Sequence, residues 1–152
     1  MTDIHSPIEQ RHTGKGKPSA MLHFDRPLNR RQQALAEQLP RFDSRVIVPK
    51  KSVALRDLAA LTACTGDEYA LFTRKSQRLL VRGNATMTNI TTEMARDLAL
   101  RGWRWSGHTH PGTDSFCLLP SDGDKAILRV FGQDESCILN SMGLWNTFGK
   151  DE

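Results

Sequence analysis

The sequence predicts an α/β or α+β protein, a mixed β-sheet flanked by helices. Stretches of β-branched and aromatic residues with strand periodicity alternate with stretches whose apolar residues recur at helical spacing, and turn-forming residues separate them. The resulting order is strand, helix, two strands, helix, strand, helix, two strands, which suits a layered protein built on a mixed sheet. A length of 152 residues, 38% of them hydrophobic and 25% charged, is enough to bury one core without disulfide staples.

Residues 1–20 show no apolar periodicity, and Gly14-Lys15-Gly16-Lys17-Pro18-Ser19 has the composition of a linker. Residues 28–39 predict a short helix that Pro40 stops. Arg45 to Pro49 is short and β-branched, hence a strand. Ser52 is expected to cap a second helix, with Val53, Leu55, Leu58, Ala59 and Leu61 on one face and Gly66 at its end. Residues 68–73 and 77–81 read as two strands joined by the polar turn Arg74-Lys75-Ser76. Thr92 to Leu100 predicts a third helix, with Gly102 just beyond it. Residues 103–110 alternate like a strand that Pro111 ends. After a loop come a helix from Ser121 to Phe131 and strands near 136–140 and 143–148. The expected division is a basic, largely unstructured segment over 1–43, with a possible short helix, and a folded domain over 44–150.

The net charge of +4 belongs to the first third of the chain. Residues 1–52 hold 10 Lys and Arg against 5 Asp and Glu, whereas residues 53–152 hold 11 against 12. The basic segment lacks interleaved aromatics and matches no nucleic-acid motif, so a solvated tail is the simpler reading and a nucleic-acid partner is not expected. No apolar stretch has membrane-spanning length, and no apolar run near Met1 resembles a secretory signal, so neither a membrane partner nor secretion is expected. Cys64, Cys117 and Cys137 are odd in number, far apart and without a CxxC pair, which favours a reducing, cytoplasmic location.

The chemistry concentrates in His108-Thr109-His110-Pro111 and Ser121-Asp122-Gly123-Asp124. On a strand, residues two apart share a face, so His108 and His110 can aim two imidazoles at one point. Imidazole nitrogen and carboxylate oxygen are good zinc ligands, and Asp124, in the first turn of the next helix, is placed to be the third. A general base is still needed, and Glu68 at the start of a strand is the candidate. Glu93 and Asp67 compete with it, although alternation puts Asp67 and Glu68 on opposite faces. Read alone, Ser121 and Asp124 are also a helix capping box. Trp103, Trp105 and Trp145 read as packing residues. Cys117 is either a loop packing residue or a neighbour of the metal.

His108-Thr109-His110-Pro111 followed by Ser121-Asp122-Gly123-Asp124 resembles the H-x-H-P and S-x-x-D signature of the JAMM (MPN+) metalloproteases. Asp67-Glu68-Tyr69-Ala70-Leu71-Phe72 is similar to the strand on which that family carries its catalytic Glu. The resemblance spans residues 44–149, and its departure is the nine-residue gap 112–120, longer than the family's usual spacing. It implies a JAMM/MPN-like fold with cytidine-deaminase-like layering and one Zn2+ per chain held by His108, His110 and Asp124. It also implies Glu68 as general base and Ser121 as the group that holds the oxyanion. The implied activity is hydrolysis of a peptide or isopeptide bond, on a protein or peptide substrate with a Gly-Gly-type tail. Trp103 to Asp124 is also similar to small bacterial toxin modules, which would be delivered into a target cell and act on a different substrate. A non-catalytic MPN-like binding or scaffold module is the other alternative, though such members lose the ligands that this chain keeps. His5, His12 and His23 have no spacing partner and receive no role.

Overall fold

The computed structural model describes residues 4–5, 27–88 and 90–150. It is an α+β fold, a mixed sheet with four helices packed on it. Its strands are β1 (Ile4–His5), β2 (Arg45–Pro49), β3 (Tyr69–Arg74), β4 (Gln77–Arg82), β5 (Arg104–Thr109), β6 (Glu135–Leu139) and β7 (Trp145–Gly149). The helices are α1 (Arg30–Gln38), α2 (Leu55–Thr65), α3 (Thr92–Leu100) and α4 (Asp122–Phe131). Six strands form the body of the sheet, and the two-residue β1 adds to β7 at its edge, giving the order β1-β7-β6-β5-β3-β4-β2. The described pairs are antiparallel except β5 with β6.

Alternation along the strands divides the core in two. Tyr69 and Leu71 of β3 and Leu80 of β4 face one way and pack with Leu35, Leu58 and Leu61 of α1 and α2. Ala70 and Phe72, with Leu79 and Val81, face the other way and pack with Ala95 and Leu98 of α3 and Ile127, Leu128 and Phe131 of α4. Each face of the sheet therefore has its own pair of helices and its own buried apolar cluster.

Two expectations are corrected. Ser52 does not cap α2; it lies in a 3-10 turn, Lys50–Ser52, and the N-cap position is Ala54. The cap comes instead from Asp57, whose Oδ2 accepts the Ala54 N–H at 2.7 Å. Asp57 Oδ1 also accepts from Arg31 and Gln32 of α1 at 3.0 and 3.1 Å, so one buried carboxylate both starts α2 and ties α1 to it. Residues 1–20 carry no strand pattern, yet Ile4–His5 pairs with β7, because an edge ladder needs only backbone groups. The rest of that segment lies outside the described residues. The 112–120 loop contains a short 3-10 turn, Ser115–Leu118, which buries Leu118 in the α3/α4 core.

A bulge in β5 bears directly on function. Leu71 pairs with Gly107 but Phe72 pairs with Trp105, leaving Ser106 as an extra residue. Strict alternation would set Trp105 and His108 on opposite faces. With Ser106 bulged they share the α3/α4 face, while Gly107 and Thr109 face α2. The absence of a side chain at Gly107 matters there, since a Cβ would lie 2.8 Å from Leu55 Cδ2 and 3.1 Å from the Cys137 carbonyl.

Candidate metal centre

The site forms where β5 ends, beside the start of β3 and the N-terminus of α4. Ala70 of β3 pairs with His108 of β5 in antiparallel register. Carrying that register two residues further sets Glu68 across from His110, on the same face. Backbone bonds fix both ends: Glu68 N–H donates to Asn84 O at 2.8 Å, and His110 N–H donates to Leu139 O at 2.9 Å. Between the two histidines, Thr109 points to the opposite face, accepts the Tyr69 N–H at 2.9 Å and bonds the Thr62 hydroxyl of α2.

The loop after Pro111 brings α4 back over the strand end, as its sequence position anticipates. His108 Nε2 lies 3.1 Å from His110 Nε2 and 3.1 Å from Asp124 Oδ1, and His110 Nε2 lies 3.3 Å from Asp124 Oδ2. Glu68, His108 and His110 each offer a ligand atom, all within 4.8 Å of one another, and this group can hold a metal ion. Of the four side chains, His108 is fully buried and Glu68 nearly so. Trp105 stacks on His108 with ring centroids 4.8 Å apart, and Phe148 meets the same imidazole edge-on.

The donor set suits a cation. Two imidazole nitrogens that face each other need a proton or a metal between them. Tetrahedral zinc with ligands at about 2.0–2.2 Å requires donors spaced roughly 3.3 Å apart, close to the spacings here. His110 Nδ1 donates to the Cys117 carbonyl at 2.8 Å, which orients the ring and leaves Nε2 with its lone pair toward the site.

Electrostatics separates the roles of the carboxyls. Burial pushes Glu68 up to about 7; His110 opposes the rise and Asp124 adds to it. Burial would raise Asp124 as well, but His108, His110 and the Ser121 amide outweigh it and hold Asp124 well below the usual carboxylate range. Burial lowers His108, with Asp124 partly restoring it. Burial lowers His110 too, but Asp124, Glu68 and the Cys117 carbonyl more than compensate, so its net shift is upward.

Asp124 takes part in the capping box and meets both histidines at once. Ser121 Oγ accepts the Asp124 N–H at 3.0 Å, and Asp124 Oδ2 accepts the Ser121 N–H at 2.9 Å. Oδ1 takes no part in the cap and faces His108 Nε2. The cap likewise uses only an acceptor lone pair of Ser121, leaving its hydroxyl hydrogen free to donate. Ser121, Glu68, His110 and Asp124 line a cleft of about 520 Å³.

The competing residues lie elsewhere. Asp67 accepts from Arg82 Nε and Nη2 at 2.9 and 2.8 Å, and Glu93 is exposed on α3 outside the cleft lining. The Cys117 thiol turns to Asp114, 3.3 Å away, and burial and that carboxylate push it up, away from the thiolate a metal prefers. Its carbonyl, not its sulfur, serves the site. Sequence reasoning missed that contact, the stacking of Trp105, and the far wall of the cleft, Thr86 to Thr88 and Ile90 to Thr92. The concentration of threonine there, between a strand and a helix, was the available signal for the wall. A carbonyl contact leaves none in a sequence. Comparison with protein-family models, curated proteins and solved structures finds no match for the chain.

Proposed function

We propose that this chain is a zinc-dependent hydrolase of peptide or isopeptide bonds, of the kind its H-x-H-P and S-x-x-D motif resembles, the JAMM (MPN+) metalloproteases. The observation that carries the reading is the convergence of His108 Nε2, His110 Nε2 and the Asp124 carboxylate beside the buried Glu68 carboxyl, at the wall of one cleft. His108, His110 and Asp124 would hold the ion, which supplies a Lewis acid that lowers the pKa of a water toward 7. Glu68 accepts the proton of the attacking water and returns it to the departing amine nitrogen, a task that suits a carboxylate at the edge of the cleft. The Ser121 hydroxyl donates to the carbonyl oxygen as negative charge develops there.

The cleft lining favours a neutral acyl segment. Threonines, Met87, Ile90 and Ile127 line it, and no Lys or Arg does among the described residues. Apart from the ion itself, a phosphate ester or a terminal carboxylate would find no Lys or Arg to pair with there, whereas an extended Gly-Gly-type tail needs none.

Elemental analysis of tag-free protein, beside the His108→Ala/His110→Ala double variant, tests the centre. About one zinc per wild-type chain, lost in the variant, supports it, and cleavage of a Gly-Gly-tailed amide by the loaded protein supports the substrate class. No metal in either protein after incubation with zinc overturns the hydrolase and leaves a binding or scaffold module. Zinc without cleavage points to a different substrate.

A further inference from the structure

Gln133 lies outside the cleft, yet its side chain grips the strand that carries both histidines. It follows Gly132, the left-handed C-cap of α4, and its N–H bonds back to Leu128 O at 3.4 Å. Its amide then does what a neighbouring strand would do. Oε1 accepts the Trp105 N–H at 2.6 Å, Nε2 donates to the Trp105 carbonyl at 2.9 Å, and Nε2 also reaches Glu135 O at 3.2 Å. Ser136 Oγ adds a second donor to the Trp105 carbonyl at 3.1 Å.

This clamp sits where the sheet needs it. The ladder between β5 and β6 pairs His108 with Ile138 and Thr109 with Leu139, and it does not extend to Trp105. Trp105 stands directly before the Ser106 bulge, and both of its backbone polar groups are buried. Without the Gln133 amide the N–H would be left unsatisfied and the carbonyl would keep only Ser136 Oγ, at a cost that favours a return to regular alternation. Regular alternation would turn Trp105 away from His108.

We propose that Gln133 is a positioning residue for the metal centre. It holds the bulge closed, the bulge keeps the Trp105 indole stacked on His108, and the same residue anchors the end of α4, whose first turn carries Asp124. One side chain thereby locks the strand of two ligands to the helix of the third. The inference rests on the metal-centre reading above.

The test compares zinc dissociation constants, by competition with a chromogenic chelator, for wild type, Gln133→Met and Gln133→Glu, alongside melting of the metal-free proteins. Gln133→Met keeps the length and removes the amide; it should weaken zinc roughly 10- to 100-fold, the range for residues that orient metal ligands. Gln133→Glu keeps the acceptor for the Trp105 N–H but turns its second oxygen on the Trp105 and Glu135 carbonyls, and should weaken zinc as well. Leu35→Ala, in the core on the other face, should lower the melting temperature and leave zinc affinity unchanged. Should Gln133→Met fail to fold, Gln133→Glu alone decides. Wild-type affinity in a folded Gln133 variant, or an equal loss in Leu35→Ala, overturns the positioning role. A wild-type protein that binds no zinc overturns the metal centre and this inference with it.

Discussion

Glu68 is the residue whose environment speaks most directly to chemistry. Its proton is held more tightly in the folded chain than in the unfolded one, with a value of about 7 against an ordinary 4.5. Its contribution to the stability of the metal-free protein is therefore full below pH 4.5 and is lost as the pH rises through 7. Urea unfolding of wild type and Glu68→Gln at pH 5 and pH 8 should show the wild type losing more stability across that interval. Equal losses would mean Glu68 titrates normally. In the zinc-loaded protein the added positive charge should hold Glu68 lower. Glu68→Gln should keep its zinc and lose about 10²- to 10⁴-fold in rate, measured as single turnovers on an amide substrate. Ser121 has two separable jobs, and Ser121→Gly separates them. Glycine is a tolerable N-cap, costing a few tenths of a kcal/mol relative to serine. Loss of the hydroxyl should still cost on the order of a hundredfold in kcat. A variant with near wild-type kcat would reduce Ser121 to a cap.

Among the elements, α1 and α2 show how one side chain joins two helices. Asp57, 1% exposed, caps α2 and takes hydrogen bonds from Arg31 and Gln32 of α1. Asp57→Ala removes the cap and strands the buried Gln32 amide. A loss of about 2–3 kcal/mol is expected, read from the denaturant midpoint. A loss under about 0.5 kcal/mol would show that water replaces these bonds. The strand β5 makes the complementary point. Its bulge, not its alternation, decides which aromatic ring lies under His108, and its end is fixed by the Thr109 hydroxyl on the α2 face and by the Leu139 carbonyl of the neighbouring strand.

For the whole molecule, the two apolar clusters on opposite faces of the sheet stand independently of any ion. Removing zinc with a chelator should therefore lower the melting temperature without unfolding the protein at room temperature. Zinc at a hundred times its dissociation constant should restore about 2.7 kcal/mol, and the His108→Ala/His110→Ala variant should show no zinc-dependent shift. A protein that unfolds on chelation would have a structural rather than a catalytic site. No helix among the described residues is long and apolar enough to cross a membrane. Residues 1–3 and 6–26 of the basic first third lie outside the described residues. Within it, α1 packs Leu35 into the same cluster as Val48 and Leu80.

The sequence by itself determined most of the elements and pointed to the histidine pair at the candidate site. Period-two alternation located β3, β4 and β5, helical spacing with terminal glycines located α2 and α3, and the paired histidines drew attention to the end of β5, where Glu68, His108 and His110 form a group that can hold a metal ion. These are local signals, since a residue's face and its capping depend on neighbours a few positions away. Only the tertiary structure decided what distant segments do to one another. Asp57 took the cap from Ser52 because α1 delivers two donors to it from far along the chain. Trp105 changed faces because Gln133 supports the bulge across the sheet. His110 is oriented by a backbone carbonyl, and Glu68 is raised toward neutrality by burial under elements that follow it in sequence. Register shifts, desolvation and carbonyl contacts are set by what packs against a residue, and that information is spread over the whole chain.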